Sequence, residues 1–324
     1  MRKILVTGAA GYIGSVLTQK LLQKGYQVIG IDNLSFGGES LVSFYGNPLF
    51  KFVKADIRDK EIIASVIPQV TDIVHLAAIV GDPACSKQPE LAMQINWEAS
   101  KMIADLANES KNIKRFVFAS TCSNYGKMEG DAYLNEDSPL RPVSLYAELK
   151  VKFEQYLLSL DKRTDFIPTA LRFSTVYGIS PRMRFDLTVN EFIREVALGG
   201  KIEIFGEQFW RPYAHVEDLA NACVLVMESK SKLVDREVFG VGETKENYQK
   251  KMIAEEIIKI VPDAKINYVT RTEDPRDYRV DFSKIKNKLG FNITKTVSDG
   301  LKEINSLLIN GLLEEPYSKK YQNI

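Results

Sequence analysis

Histidine, cysteine and tryptophan are scarce in this chain of 324 residues, which holds two, three and two of them. His75 and His215 share no paired spacing with Cys85, Cys122 and Cys223, which excludes the short-spaced zinc motifs and an even disulfide framework. A reducing, cytoplasmic setting is the expectation that follows. Each histidine stands in an apolar stretch, DIVHLAA or PYAHVEDLA, where a structural imidazole is expected and a metal site is not. Net charge is nearly absent too, with 43 Lys and Arg against 42 Asp and Glu. That removes the global basic field that gathers nucleic acid or anionic membrane. No apolar run reaches membrane-spanning length, and MRKILVTGAAGYIG lacks the apolar core and cleavage site of a secretion signal. Partners must then be chosen by a local site.

What the sequence does have is alternation. KILV (3–6), QVIGI (27–31), FKFV (50–53), DIVHLA (72–77), RFVFAS (115–120) and PTALRF (168–173) predict strands buried on both faces. Helical periodicity runs through 15–24, 60–67, 90–109 and 147–160. Strand then helix, repeated, predicts an α/β fold with a doubly wound parallel sheet. Beyond Gly178 the rhythm loosens into a helix over 180–200, a strand at 201–206, a helix at 217–229 and further helices around KINYV (265–269). The expected division is a nucleotide-binding half over 1–178, with 212–242 returning to it. A smaller interleaved cap from 179–211 and 243–324 would bind substrate and end in a polar tail, SKKYQNI, expected to fray.

The first strand runs straight into Gly8, Gly11 and Gly14 of TGAAGYIG. Glycines there permit a tight turn, let backbone amides approach a pyrophosphate, and let the next helix pack closely. The second strand ends at Asp32, where a carboxylate accepts from an adenosine ribose in the Rossmann arrangement. Because a 2′-phosphate beside that carboxylate meets like-charge repulsion, NAD is favoured over NADP. In KADIRD, Asp56 and Ile57 are placed to flank an adenine, and Leu76, Ala77 and Ala78 of HLAA offer backbone that can lie against a ribose.

The fifth strand places Thr121 at the carboxyl edge of the sheet, and the helix after it carries Tyr146 and Lys150 one turn apart on one face. A phenol, ordinarily ionising near ~10, needs a neighbouring cation to serve as a base at neutral pH. Lys150 supplies that cation, while Thr121 orients a substrate hydroxyl. From TGAAGYIG through DNLS, ADIRD, HLAA, STCSNYG, YAELK and LRFSTVYG to RPYAHVEDLA, the chain resembles the extended short-chain dehydrogenase/reductases, in their nucleotide-sugar epimerase and dehydratase branch. The resemblance implies NAD held by Gly8, Gly11, Tyr12, Ile13, Asp32, Asn33, Asp56, Ile57, Ala77, Asn96, Tyr146 and Lys150. It also places Phe173 and Val176 near the nicotinamide.

In the cap, the family pattern implies that Asn190 and Arg211 contact a sugar diphosphate and that Arg271 or Arg276 completes the clamp, since guanidinium groups grip phosphate oxygens. Arg182 and Arg184 are two further candidates for the pocket lining, and Thr175 for the sugar end. The 4,6-dehydratases of the branch carry an Asp-Glu pair directly after the catalytic threonine, where this chain has Cys122 and Ser123; dehydration is not expected. A 4-epimerase is favoured. Net C4 oxidation stays open, because GISPRMRFDLTVNEF resembles oxidases of GDP-heptoses, and Ser174 and Thr175 replace the epimerases' usual Phe-Asn arrangement. A catalytically silent nucleotide-binding protein is the reading from another class. Met93, Trp97 and Met102 add apolar surface to the 90–109 helix, and family resemblance implies a homodimer built through a four-helix bundle.

Overall fold

The computed structural model describes residues 2–130, 132–161, 163–269 and 276–323. Six strands fall on the apolar runs: β1 (Lys3–Thr7), β2 (Gln27–Asp32), β3 (Phe50–Lys54), β4 (Asp72–His75), β5 (Arg115–Thr121) and β6 (Ile167–Phe173). Later strands are β7 (Thr175–Tyr177), β8 (Lys201–Phe205), β9 (Trp210–His215), β10 (Glu237–Val241), β11 (Asn247–Gln249) and β12 (Lys265–Val269). A seven-stranded sheet runs in the order β10-β6-β5-β4-β1-β2-β3, with every pairing parallel. The order reverses between β1 and β4, which opens the crevice where such sheets take ligands.

Every residue of β4, β5 and β6 is buried, as expected of strands covered by helices on both sides. The period of two divides the core. Ile4 and Val6 join the layer under helices Tyr12–Gln23 and Val216–Glu228, while Leu5 joins the layer under Ser100–Glu109 and Leu145–Ser159. A third apolar cluster gathers Val189, Ile193, Ile253, Ile257, Leu301 and Ile304. It joins helices Thr188–Ala197, Lys250–Ile260 and Val297–Ile309 to β8, near a small sheet of order β11-β9-β7. Among the described residues no helix is long and apolar enough to cross a membrane.

Four departures from the sequence reading have local causes. The helix expected over 90–109 is broken by a π-helical stretch, Gln94–Ala99, within which Asn96 turns to bind the Ile79 backbone and Ser100 Oγ donates to Ile95 O at 3.0 Å. The helix expected over 180–200 forms only at Thr188–Ala197. Before it, Pro181 and the Arg184–Asp186 pair at 2.5 Å hold an irregular segment. A short helix, Asp82–Lys87, and the strands β7, β9, β10 and β11 have no apolar run to announce them. Residues 317–323 are docked instead of frayed, since the Tyr321 ring packs edge-on against Phe185 at 5.7 Å.

Candidate active site

A cavity of about 680 Å³ follows the crevice from the β1 turn to the cap. At one end Gly8 takes a φ of 73°, and a Cβ there would lie 2.9 Å from Ala77 N. A Cβ on Gly14 would meet Gly8 O at 1.9 Å, so the Tyr12–Gln23 helix can sit against the turn only as built. The backbone N–H groups of its first turn are then open to an anion. Thr7 shapes the floor. Its Oγ1 accepts from Leu76 N and Ala77 N, both at 3.2 Å, and meets His75 Nδ1 at 2.8 Å. His75 passes the chain on to Ser100 at 2.9 Å, and burial pushes its imidazole down to about 3; it is neutral and structural.

Asp32 lies on the cavity wall and accepts from Ala10 N at 3.0 Å and Leu34 N at 2.8 Å. Burial raises its carboxyl, and those two amides pull the other way. Asn33 donates to Asp56 at 3.3 Å, and Asp56 is gripped by Arg58 at 2.9 Å, which holds its carboxyl below the usual range. Ile57, Ala78 and Ile13 line the same groove. Asn96 does not. Its amide is spent on Ile79 N at 2.8 Å and Ile79 O at 2.9 Å, and it shapes the wall from behind.

At the other end Thr121 closes β5, its Oγ1 accepting from Ser123 N at 3.1 Å. Ser144 caps the Leu145–Ser159 helix, which carries Tyr146 and Lys150 onto the same wall. Lys150 is buried; its Nζ donates to Ala119 O at 2.7 Å and lies 4.7 Å from the Phe118 ring centre and 5.9 Å from that of Tyr146. Burial lowers its ammonium to about 8. Burial and the nearby Cys85 and Asp82 raise the Tyr146 phenol, whereas hydrogen bonding to Thr121 and the charge of Arg184 lower it. Phe173, Thr175 and Val176 stand beside this group. Cys122 is buried with Sγ on Arg172 O at 3.3 Å, so the position after Thr121 offers no acid to the cavity.

Sequence reasoning missed the support beneath Thr121. Ser120 Oγ donates to Glu154 at 2.6 Å, and Arg172 binds Glu154 at 2.6 Å and Tyr125 OH at 3.1 Å. Glu154 lies about two turns beyond Tyr146 on the same helix, so this pair ties the helix to β6 behind Thr121 and Tyr146. A charged residue inside the apolar run PTALRF was the available signal. Asp82, Phe36, Tyr278 and Asn323 also line the cavity and carry no motif, and Ser123 of STCSNYG lines it with them.

On the cap side Arg182, Arg184 and Arg276 reach the wall. Arg184 is clasped by Asp186, and Arg276 pairs with Asp82 at 2.7 Å. Asn190 is not brought to the cavity. It is fully buried, donating to Arg184 O at 2.8 Å and Tyr12 OH at 3.1 Å and accepting from Gly178 N at 3.0 Å. Nor does Arg211 line it, since Nη1 donates to Trp210 O at 2.6 Å and the guanidinium stacks 5.3 Å from the Tyr278 ring centre. Arg271 lies outside the described residues.

The glycine turn, the open helix terminus and Asp32 together fit a dinucleotide. Comparison with known proteins agrees. The model of the "NAD dependent epimerase/dehydratase family" matches residues 4–242. UDP-glucose 4-epimerase of Lactobacillus helveticus is 29% identical over 309 residues, covering 89% of this chain and 91% of that one. Among solved structures, UDP-glucose 4-epimerase of Thermotoga maritima with UDP-glucose superposes with a TM-score of 0.85 at 29% identity, over 96% of this chain and 100% of that one. UDP-glucuronic acid 4-epimerase of Bacillus cereus, in complex with UDP-glucuronic acid and NAD, gives 0.82 at 28% identity over 96% and 100%. With NAD as its cofactor and a seven-stranded parallel sheet to carry it, the chain belongs to the NAD dependent epimerase/dehydratase family.

Proposed function

We propose that this chain is an NAD-dependent nucleotide-sugar 4-epimerase, working by transient oxidation and re-reduction of C4. The observation that carries the reading is one wall on which Thr121, Tyr146 and Lys150 meet, with the buried Cys122 and with Ser123 where a dehydrating enzyme needs an acid pair. NAD, when bound, supplies the acceptor for a hydride and returns it to the same carbon. Thr121 orients the C4 hydroxyl. Tyr146, favoured as phenolate by Thr121, Arg184 and the Lys150 cation, would take the hydroxyl proton as hydride leaves C4 and, once the keto-sugar has turned to present its other face to the returning hydride, give the proton back to the C4 oxygen. Gly8, Gly11, Tyr12 and Ile13 hold the pyrophosphate and Asp32 the adenosine ribose. Arg184 and Arg276 face the sugar diphosphate, and relatives that bind UDP-glucose or UDP-glucuronic acid support that substrate class.

Purified protein given a panel of UDP-, GDP- and dTDP-sugars tests the proposal. Product inverted at C4 upholds it; accumulating keto-sugar with stoichiometric NADH replaces it by net C4 oxidation, and no turnover of any sugar removes both. A homodimer through Ser100–Glu109 and Leu145–Ser159 belongs to the same proposal. Light scattering that gives a monomer mass would refute that part.

A further inference from the structure

Residues 317–323 lie along the irregular segment between β7 and the Thr188–Ala197 helix. Phe185 N donates to Tyr321 O at 2.8 Å, Arg182 Nη2 to Gln322 O at 3.0 Å, and Asn323 N to Asp186 at 3.3 Å. Tyr317 anchors the start, donating to Glu195 at 3.1 Å beneath the Arg194 guanidinium at 4.6 Å. The irregular segment is itself stapled to the first turn of the Tyr12–Gln23 helix. Ser180 Oγ donates to Tyr12 O at 2.7 Å, and Tyr12 OH donates to Gly178 O. Contacts therefore run without a break from residue 323 to the helix terminus that faces the cofactor.

Arg182 sits at the middle of this path. It is 6% exposed, lines the cavity near Asp32, and stacks 4.5 Å from the Phe36 ring centre. Gln322 O satisfies Nη2, while Nε and Nη1 have no acceptor among the described residues. Asn323 Oδ1, on the same wall, is likewise buried without a donor. A buried guanidinium with unmade hydrogen bonds is costly, and phosphate oxygens are the acceptors that suit its fork. Burial and the neighbouring Arg184 draw its ionisation down to about 10, the mark of a charge not fully compensated. The sugar end of the cavity is the wrong place to look for that anion, because Phe36 and Asp32 belong to the adenosine end.

We propose that residues 317–323 are part of the dinucleotide site: through Gln322 they hold Arg182 so that its two unpaired nitrogens take the cofactor's phosphates. The inference rests on the groove assigned above and moves Arg182 from the sugar to the cofactor. Docking of the segment and binding of the dinucleotide then strengthen each other by the same factor.

Calorimetric titration with ADP-ribose, which carries the diphosphate without the nicotinamide, tests it. Charge-assisted bonds of this kind predict roughly 10- to 100-fold weaker binding for Arg182→Gln and for deletion of 317–324. The double variant should be no weaker than the worse single one, because both act on one contact. ADP-ribose should also slow hydrogen exchange at residues 318–323 in the wild type and not in Arg182→Gln. Should the deletion lower the melting temperature sharply, Tyr321→Ala, which removes the ring against Phe185 and keeps the backbone bonds of the segment, takes its place. Affinities within twofold of wild type in both single variants, or losses that multiply in the double, overturn the proposal. Asp32→Ala separates the two levels: if it weakens ADP-ribose and the others do not, the groove stands and the segment's role falls. If Asp32→Ala also binds normally, the groove assignment falls first.

Discussion

Replacing Lys150 by methionine keeps the length of a buried side chain and deletes its charge. The Nζ lies 5.9 Å from the centre of the Tyr146 ring. At an effective dielectric constant of about 20, unit charges that far apart attract by about 3 kcal/mol, or about two powers of ten in phenol ionisation. Lys150→Met is therefore expected to move the acid limb of the kcat against pH profile upward by about two and to cost about a hundredfold at pH 7. Thr121 and Arg184 remain in the variant, so some phenolate is retained. The same change has a second readout. Burial holds Lys150 at about 8 against an ordinary 10.5, so the unfolded chain binds the extra proton between those values. Wild-type stability should rise through that window by about 3 kcal/mol relative to Lys150→Met, and no difference should develop below it. Stopped-flow NADH absorbance and urea unfolding across pH measure the two. An acid limb that stays in place while NAD affinity drops would give the lysine to the nicotinamide ribose and refute the electrostatic reasoning.

The other expectations concern the machinery around it. Tyr146→Phe should lose roughly 10²- to 10⁴-fold in turnover while keeping NAD affinity; equal loss of binding in titration would make the phenol a ligand only. Glu154→Gln strands Arg172, whose pairing at 2.6 Å is almost wholly buried, and should cost about 3–5 kcal/mol in urea unfolding; a loss under ~1 would show that the network relaxes. Gly14→Ala forces a methyl to within 1.9 Å of Gly8 O and should abolish dinucleotide binding by calorimetry, where unchanged affinity would mean the turn gives way. Burial opposes ionisation of Glu303, yet hydrogen bonds from His215 at 2.6 Å and from Lys295 pull its carboxyl down to about 2 from 4.5. Its stabilisation is complete above the ordinary value and fades as pH falls toward 2, so Glu303→Gln should flatten the acid side of the melting curve.

Most of the central sheet was legible because strands buried on both faces are dominated by apolar residues, as the inner strands are, even though β6 carries Arg172 and the edge strand β3 alternates with Lys51 and Lys54. β10 was not, since EVFGV opens on an ion-paired Glu237 and contains Gly240, which leaves room for the Phe282 ring. The proposed reactive group was legible for a different reason: Tyr146 and Lys150 share a helix face through spacing alone, and Thr121 ends a strand whose limits apolar residues mark. Spacing carries no such information about what a polar side chain meets across the fold. Asn96 and Asn190 look like ligands in the sequence, yet both turn to backbone groups brought near them by other elements. Tail residues 318–323 read as polar, and only the folded chain reveals that Phe185 waits for Tyr321.

The last strand of the main sheet arrives late. β10 pairs with β6, yet the stretch between them in the chain builds β8, β9 and the Thr188–Ala197 helix first. A nascent chain leaving the ribosome therefore carries the edge of β6 bare until residues 237–241 emerge, an open template for strand pairing with neighbours. Fragments that stop short of β10 should be prone to clump, however complete their dinucleotide crevice.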